Sequence, residues 1–188
     1  MMNKVSIGTN ATICPMPVTL IGSMVSGRPN FMTVAFIARI NMEPPLLSMS
    51  LNKKSATREA VLETGVFSVN FPTAGMVDKA DYCGIVSGKN TDKSGLFDIF
   101  YGALGDVPMI RECPLSFECK VTESHEFTSH TCIIGEIVAT YLDESCFTDN
   151  KPDPKKINPL MLTMPDNQYW NIGNPVGKAW NAGRDLVT

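Results

Sequence analysis

Apolar and polar positions alternate in short blocks along most of the chain, and the blocks have strand length. Val18 to Ser23 (VTLIGS) reads as a strand, and Ser26-Gly27-Arg28-Pro29-Asn30 as a turn rich in Gly, Pro and Asn. Met32 to Ile40 (MTVAFIARI) is apolar at nearly every position, the pattern of a strand buried on both faces. Glu43-Pro44-Pro45 breaks the chain, and Leu46 to Leu51 (LLSMSL) predicts a third strand. Ser55 to Thr64 (SATREAVLET) has helical character, with Ser55 suited to cap it and Gly65 to stop it. Val66 to Phe71 (VFSVNF) predicts the next strand.

Thr73 to Gly105 is richer in Gly, Asp and Lys. It predicts a short helix over Ala74 to Tyr82 and then the loop SGKNTDKSG, Ser87 to Gly95. Leu115 to Glu123 and Thr131 to Tyr141 predict two further strands. Asp149 to Pro159 reads as a surface loop, Leu160 to Met164 as a short strand, and the tail from Asp166 as Gly/Asn-rich. No repeat and no long linker divides the chain, so a single domain over 1–188 is expected. Many short strands with few helices favour a β-barrel over a layered βαβ fold.

Two of the apolar runs carry polar segments, NFMT (Asn30 to Thr33) and NKKSAT (Asn52 to Thr57). The second opens the predicted helix. Two lysines, a serine and a threonine at a helix start suit a phosphate, because free N–H groups and the positive end of the helix dipole attract an anion. The same residues also suit a merely solvated helix start.

Composition narrows the class. The chain has 188 residues, 44% of them hydrophobic, and a net charge of -3, which gives no reason to expect nucleic acid. No apolar run spans a bilayer, and MMNKVSIGTN lacks a secretory h-region, so a cytoplasmic protein without a membrane partner is expected. The six cysteines (Cys14, Cys83, Cys113, Cys119, Cys132 and Cys146) form no CxxC and no zinc-finger spacing, so they read as free thiols and no metal is expected.

The ordered set PVTLIGS, N-x-M-T-V-A (Asn30 to Ala35), EPPLLSMSLNKKSAT (Glu43 to Thr57), GVFSVNFP (Gly65 to Pro72), SGKNTDK (Ser87 to Lys93) and H-x-x-x-x-GE (His130, Gly135, Glu136) resembles the flavin reductase-like, FMN-binding split-barrel proteins, in particular their flavoredoxin and archaeal ferric reductase branch. The resemblance implies a mainly β fold: a six-stranded antiparallel, Greek-key split β-barrel with a few short helices. It also implies a homodimer with FMN near the interface. Asn30, Met32, Thr33, Val34, Ala35 and Phe36 would lie along the isoalloxazine, and Ser48, Met49, Ser50 and Leu51 would border the ring and ribityl chain. Lys53, Ser55 and Thr57 would hold the phosphate. Lys93 would reach the flavin or phosphate, and His130 would sit close to the cofactor. Phe36 stands where members of this branch often carry tryptophan.

The chemistry agrees with those roles. A phosphate with nearly two negative charges favours charge-assisted bonds from Lys53 or Lys93. Met32, Val34 and Met49 supply an apolar wall. Redox chemistry belongs to the cofactor, so no indispensable side-chain acid or base is expected. The resemblance implies an FMN-dependent oxidoreductase moving electrons from NAD(P)H to free flavin, a ferric complex or a protein. A flavoredoxin-type carrier without a direct NAD(P)H reaction is the alternative. A flavin-storing module and a pyridoxamine-phosphate oxidase type stand further off. No GxGxxG follows a strand, so no separate dinucleotide-binding domain is expected.

Overall fold

The computed structural model describes residues 3–6, 8–9 and 15–186. Its strands are β1 (Met16–Pro17), β2 (Thr19–Val25), β3 (Arg28–Val34), β4 (Ile37–Asn41), β5 (Leu46–Asn52), β6 (Val66–Phe71), β7 (Ile99–Phe100), β8 (Met109–Ile110), β9 (Leu115–Glu126), β10 (His130–Leu142), β11 (Phe147–Thr148), β12 (Lys151–Pro152), β13 (Met161–Thr163) and β14 (Gln168–Trp170). Its α-helices are α1 (Ala56–Thr64), α2 (Val77–Ile85) and the one-turn α3 (Pro154–Ile157).

The principal sheet has seven strands, ordered β3-β2-β6-β9-β10-β5-β4 and antiparallel throughout, where six were expected. Strands β3 and β4 lie at its two ends, yet only Ala35 and Phe36 separate them in the chain. The three Cα–Cα steps from Val34 to Ile37 span at most about 11 Å. The ends of the sheet are therefore held together, and the sheet must roll into a barrel. A smaller sheet, β1-β13-β14, brings the C-terminal segment against the start of the barrel.

That closure corrects the expectation of one strand over Met32 to Ile40. The run breaks at Ala35–Phe36, where Ile37 N donates to Ala35 O (3.0 Å) and Ser50 N donates to Phe36 O (2.9 Å). The chain leaves β2 as its partner and joins β5. Apolar composition does not make β4 a buried strand: Ala38 through Asn41 are exposed. Three further differences follow. The β2–β3 turn is only Ser26–Gly27, both at positive φ, so the strand resumes at Arg28. The loop expected over Asp149 to Pro159 contains β12 and α3, with Asp149 and Asn150 at positive φ forming the hairpin turn. Strand β14 was not expected in the tail.

Helix α1 starts and stops where its sequence asks. Ser55 Oγ accepts from Arg58 N (3.1 Å), and Gly65, at φ 70°, donates its N–H back to Val61 O. The barrel interior gathers Ile21, Val34, Leu47, Met49, Leu51, Phe67 and Ile133, while Leu20 and Phe31 face a second cluster under α2 with Ala80, Cys83 and Phe97. Gly135 leaves the room that Phe67 fills, since a Cβ there would stand 2.5 Å from the ring. Cys83, Cys113, Cys119 and Cys146 are buried, Cys132 is half-buried, and all five are free thiols. Cys14 lies outside the described residues.

Candidate flavin-binding cleft

The break between β3 and β4 makes the site. A cleft of about 350 Å³ is lined by Met32, Thr33, Val34, Ala35, Phe36, Ser50 and His130, with Met16, Leu162 and Met164. A second hollow of about 560 Å³ adjoins it, sharing Met16, Ala35, Phe36 and Ser50 and adding Ser48, Met49 and Cys132. Both volumes fall in the range of small-molecule sites, and their walls are mostly apolar with a few polar groups.

The period-2 geometry of β5 sorts its residues. Leu47, Met49 and Leu51 are buried in the barrel core, while Ser48 and Ser50 are only partly covered. Leu51 therefore supports the cleft from behind rather than lining it. Phe36 is 49% exposed at the mouth, and its ring centroid lies 6.0 Å from that of His130. The His130 ring is oriented by Ser129 Oγ at 2.9 Å from Nδ1.

A polar corner lies at the head of α1. Asn30, 3% exposed, donates through Nδ2 to Thr57 Oγ1 (2.9 Å), joining β3 to the helix start. Its Oδ1 is buried without a hydrogen-bond partner. Ser55 is occupied as the helix cap. Lys53 Nζ lies 2.8 Å from Glu126 Oε2, and Arg58 Nη2 lies 2.6 Å from Glu126 Oε1. Arg58 Nε also donates to Thr131 Oγ1 (2.9 Å), which donates to Glu126 Oε1 (2.9 Å). Hydrogen bonds from Lys53, Arg58 and Thr131 hold the Glu126 carboxyl down at about 2.

Lys93 is absent from the apolar cleft and adjoins the polar corner through Asn30. It is 2% exposed, and its Nζ donates to Phe31 O (2.5 Å) and Val86 O (3.3 Å). Burial pushes its ammonium below the usual lysine range. It lines a separate cavity of about 190 Å³ with Arg28, Asn30, Gly88 and Asp92.

The structure thus brings Met32 to Phe36, Ser48 to Ser50 and His130 together, sets Lys53 and Ser55 at the helix start with Asn30 and Thr57 buried behind them, and leaves Leu51 and Lys93 behind the surface as well. Sequence reasoning missed Met16, Leu162 and Met164, which no local pattern links to β3. Beside Leu162 and Met164, Tyr169 OH donates to Asp81 (2.8 Å) and Trp170 Nε1 to Thr163 Oγ1 (2.8 Å). Sequence reasoning also missed Arg58, whose signal is its place one helical turn past Lys54 in NKKSATR.

Residues 11–164 match the flavin reductase like domain. The chain belongs to that family. Among solved structures it is similar to a flavoredoxin from Methanosarcina acetivorans, at 49% identity over 98% of this chain and 100% of that one, with a TM-score of 0.95. It is also similar to the flavoredoxin of Desulfovibrio vulgaris (Miyazaki F), at 34% identity over 97% and 100%, with a TM-score of 0.91. Among sequence relatives, the FMN reductase (NADH) SmoA of Agrobacterium fabrum is 28% identical over 64% of this chain and 67% of its own length. The rolled sheet is accordingly the split barrel of this family, mainly β with short helices. No helix among the described residues is long and apolar enough to cross a membrane.

Proposed function

We propose that the protein binds FMN and acts as an oxidoreductase, moving electrons from NAD(P)H through the bound flavin to a small-molecule or protein acceptor. One observation carries this reading: an open, apolar cleft runs beside a helix start that presents two cations to a bound carboxylate. The donor set fits the cofactor. Lys53 and Arg58 already hold an anion between them, and Met16, Met32, Val34 and Ala35 offer a flat apolar wall. In this reading Lys53 and Ser55 take the phosphate at the surface, with Thr57, buried and bonded to Asn30, completing the site from beneath. Met32 to Phe36 and Ser48 to Ser50 receive the ring and ribityl chain. Leu51 and Lys93 support the site from beneath.

When bound, FMN supplies reversible one- and two-electron chemistry. The chain's own residues position and tune. Phe36 covers one face of the cleft and leaves the mouth open to a second ring. His130, held by Ser129, presents its remaining ring nitrogen as a polar group at the edge of an apolar site. The buried ammonium of Lys93 adds positive potential behind β3, which favours an anionic ligand.

A carrier that exchanges electrons with proteins and makes no productive contact with nicotinamide is the second reading. It is supported by the similarity to two flavoredoxins over nearly the whole chain. We also read the protein as a cytoplasmic single domain that pairs with a second copy, and the exposed Ile40 of β4 and Met42 in the turn after it support that pairing. Light scattering checks it: a dimer mass is expected and a monomer mass rejects it.

The deciding experiment is an absorbance spectrum of the FMN-loaded protein, followed by anaerobic NADH and then NADPH. Rapid bleaching with either supports the reductase and names its donor. A flavin that bleaches only with dithionite supports the carrier. Absence of any flavin spectrum after incubation with FMN rejects both.

A further inference from the structure

Glu126 occupies the cations that the proposed phosphate needs. It is the last residue of β9, sixty-eight positions from Arg58, and the β9–β10 hairpin carries it across to the head of α1. Lys53 N donates to Ser129 O (3.1 Å), so the hairpin tip is fastened to the turn that precedes the helix. Both carboxylate oxygens are used: Oε2 on Lys53, Oε1 on Arg58 and Thr131. A carboxylate bridging two cations beside a helix N-terminus copies two oxygens of a phosphate.

We propose that Glu126 is an internal competitor for the phosphate of the flavin cofactor, released from Lys53 and Arg58 when that phosphate binds. The proposal rests on the FMN-binding reading above. It adds Arg58 to the phosphate contacts and makes Glu126 a residue that sets affinity and selectivity.

Electrostatics gives the direction. Lys53 and Arg58 carry two positive charges, and Glu126 leaves a net single charge for an incoming dianion. A phosphate and a carboxylate on the same two cations repel each other as like charges and compete for the same N–H donors. Displacement is physically open to Glu126: its side chain is 48% exposed, so the freed carboxylate is hydrated by water. Mild acid does not free the site, since the cations keep the carboxyl ionised far below neutral pH. Removing its charge does.

An alternative geometry makes the opposite prediction. If Glu126 only holds Lys53 and Arg58 in place for phosphate, losing its charge weakens binding. Titrations of FMN and of riboflavin into the wild-type protein and Glu126→Gln separate the two. Competition predicts that E126Q binds FMN about five-fold tighter, the order expected for two partly exposed ion pairs, and binds riboflavin unchanged. Equal or weaker FMN binding by E126Q overturns it, and so does an equal gain for riboflavin, which has no phosphate. A structure of the FMN-bound wild type gives a readout that needs no variant: Glu126 still bridging Lys53 and Arg58 overturns the proposal. Failure of wild type and variant alike to bind FMN rejects the flavoprotein reading itself, whereas equal binding by both rejects only the role of Glu126.

Discussion

The two parts of the candidate site are built on opposite principles. The part proposed to receive the ring is apolar, and its walls are residues of β3 and β5 whose neighbours are locked in the barrel core. The part proposed to receive the phosphate is charged and half exposed, and it is assembled from the head of α1 and the tip of a distant hairpin. A rigid apolar wall needs nothing to satisfy it while empty. A pair of cations does, and here an acidic residue of the same chain supplies the partner. The first kind of surface is fixed by packing, the second by charge that can be exchanged.

The largest effect that sharpens this contrast is on folding. Leu51 is fully buried behind the cleft, while Ser50 beside it is only partly covered. Leu51→Ala is expected to cost about 2–5 kcal/mol of stability by chemical denaturation. Ser50→Ala is expected to stay within about 0.5 kcal/mol. Similar losses for both would mean that the two faces of β5 are not separate environments.

Ligand affinity comes next. Arg58→Ala is expected to weaken FMN binding about tenfold while leaving riboflavin binding unchanged, because it removes one charge-assisted contact. Phe36→Ala is expected to weaken both ligands equally, by about 0.5–1.5 kcal/mol, since it touches only the ring end. An effect of R58A on riboflavin equal to that on FMN would erase the distinction between the two ends.

The smallest effect is on stability against pH. The Glu126 carboxyl is lowered from 4.5 to about 2 in the folded protein by its hydrogen bonds from Lys53, Arg58 and Thr131. A depressed folded value stabilises at pH above the unfolded value, and that contribution fades as pH falls toward 2. The thermal midpoint of wild type relative to E126Q is therefore expected to be highest near neutral pH and to converge with it between about pH 4.5 and 2. A difference that persists unchanged at pH 2 would show that Glu126 acts through packing instead.

Much of the cleft wall was legible because its residues are contiguous. Met32 to Phe36 and Ser48 to Ser50 are two stretches of chain, and the family pattern runs through both. What their apolar composition hid was the break at Ala35–Phe36. A buried strand and a strand that crosses the barrel seam have similar composition, and only the change of pairing partner separates them. Lys93 shows a different gap. A loop lysine reads as exposed, yet the loop folds over β3 and sinks its ammonium onto two carbonyl groups.

Sequence by itself determined the local units: the capped helix from Ser55 to Gly65, the strand at Val66–Phe71, and the polar segments NFMT and NKKSAT. These depend on neighbours a few positions apart, through capping, backbone angles and period-2 alternation. The tertiary structure alone decided that β3 and β4 close the barrel, that Met16, Leu162 and Met164 complete the cleft, and that Glu126 meets Lys53 and Arg58. Such contacts join residues far apart in the chain, and their energy arises only once the sheet has rolled and the β9–β10 hairpin has reached the head of α1.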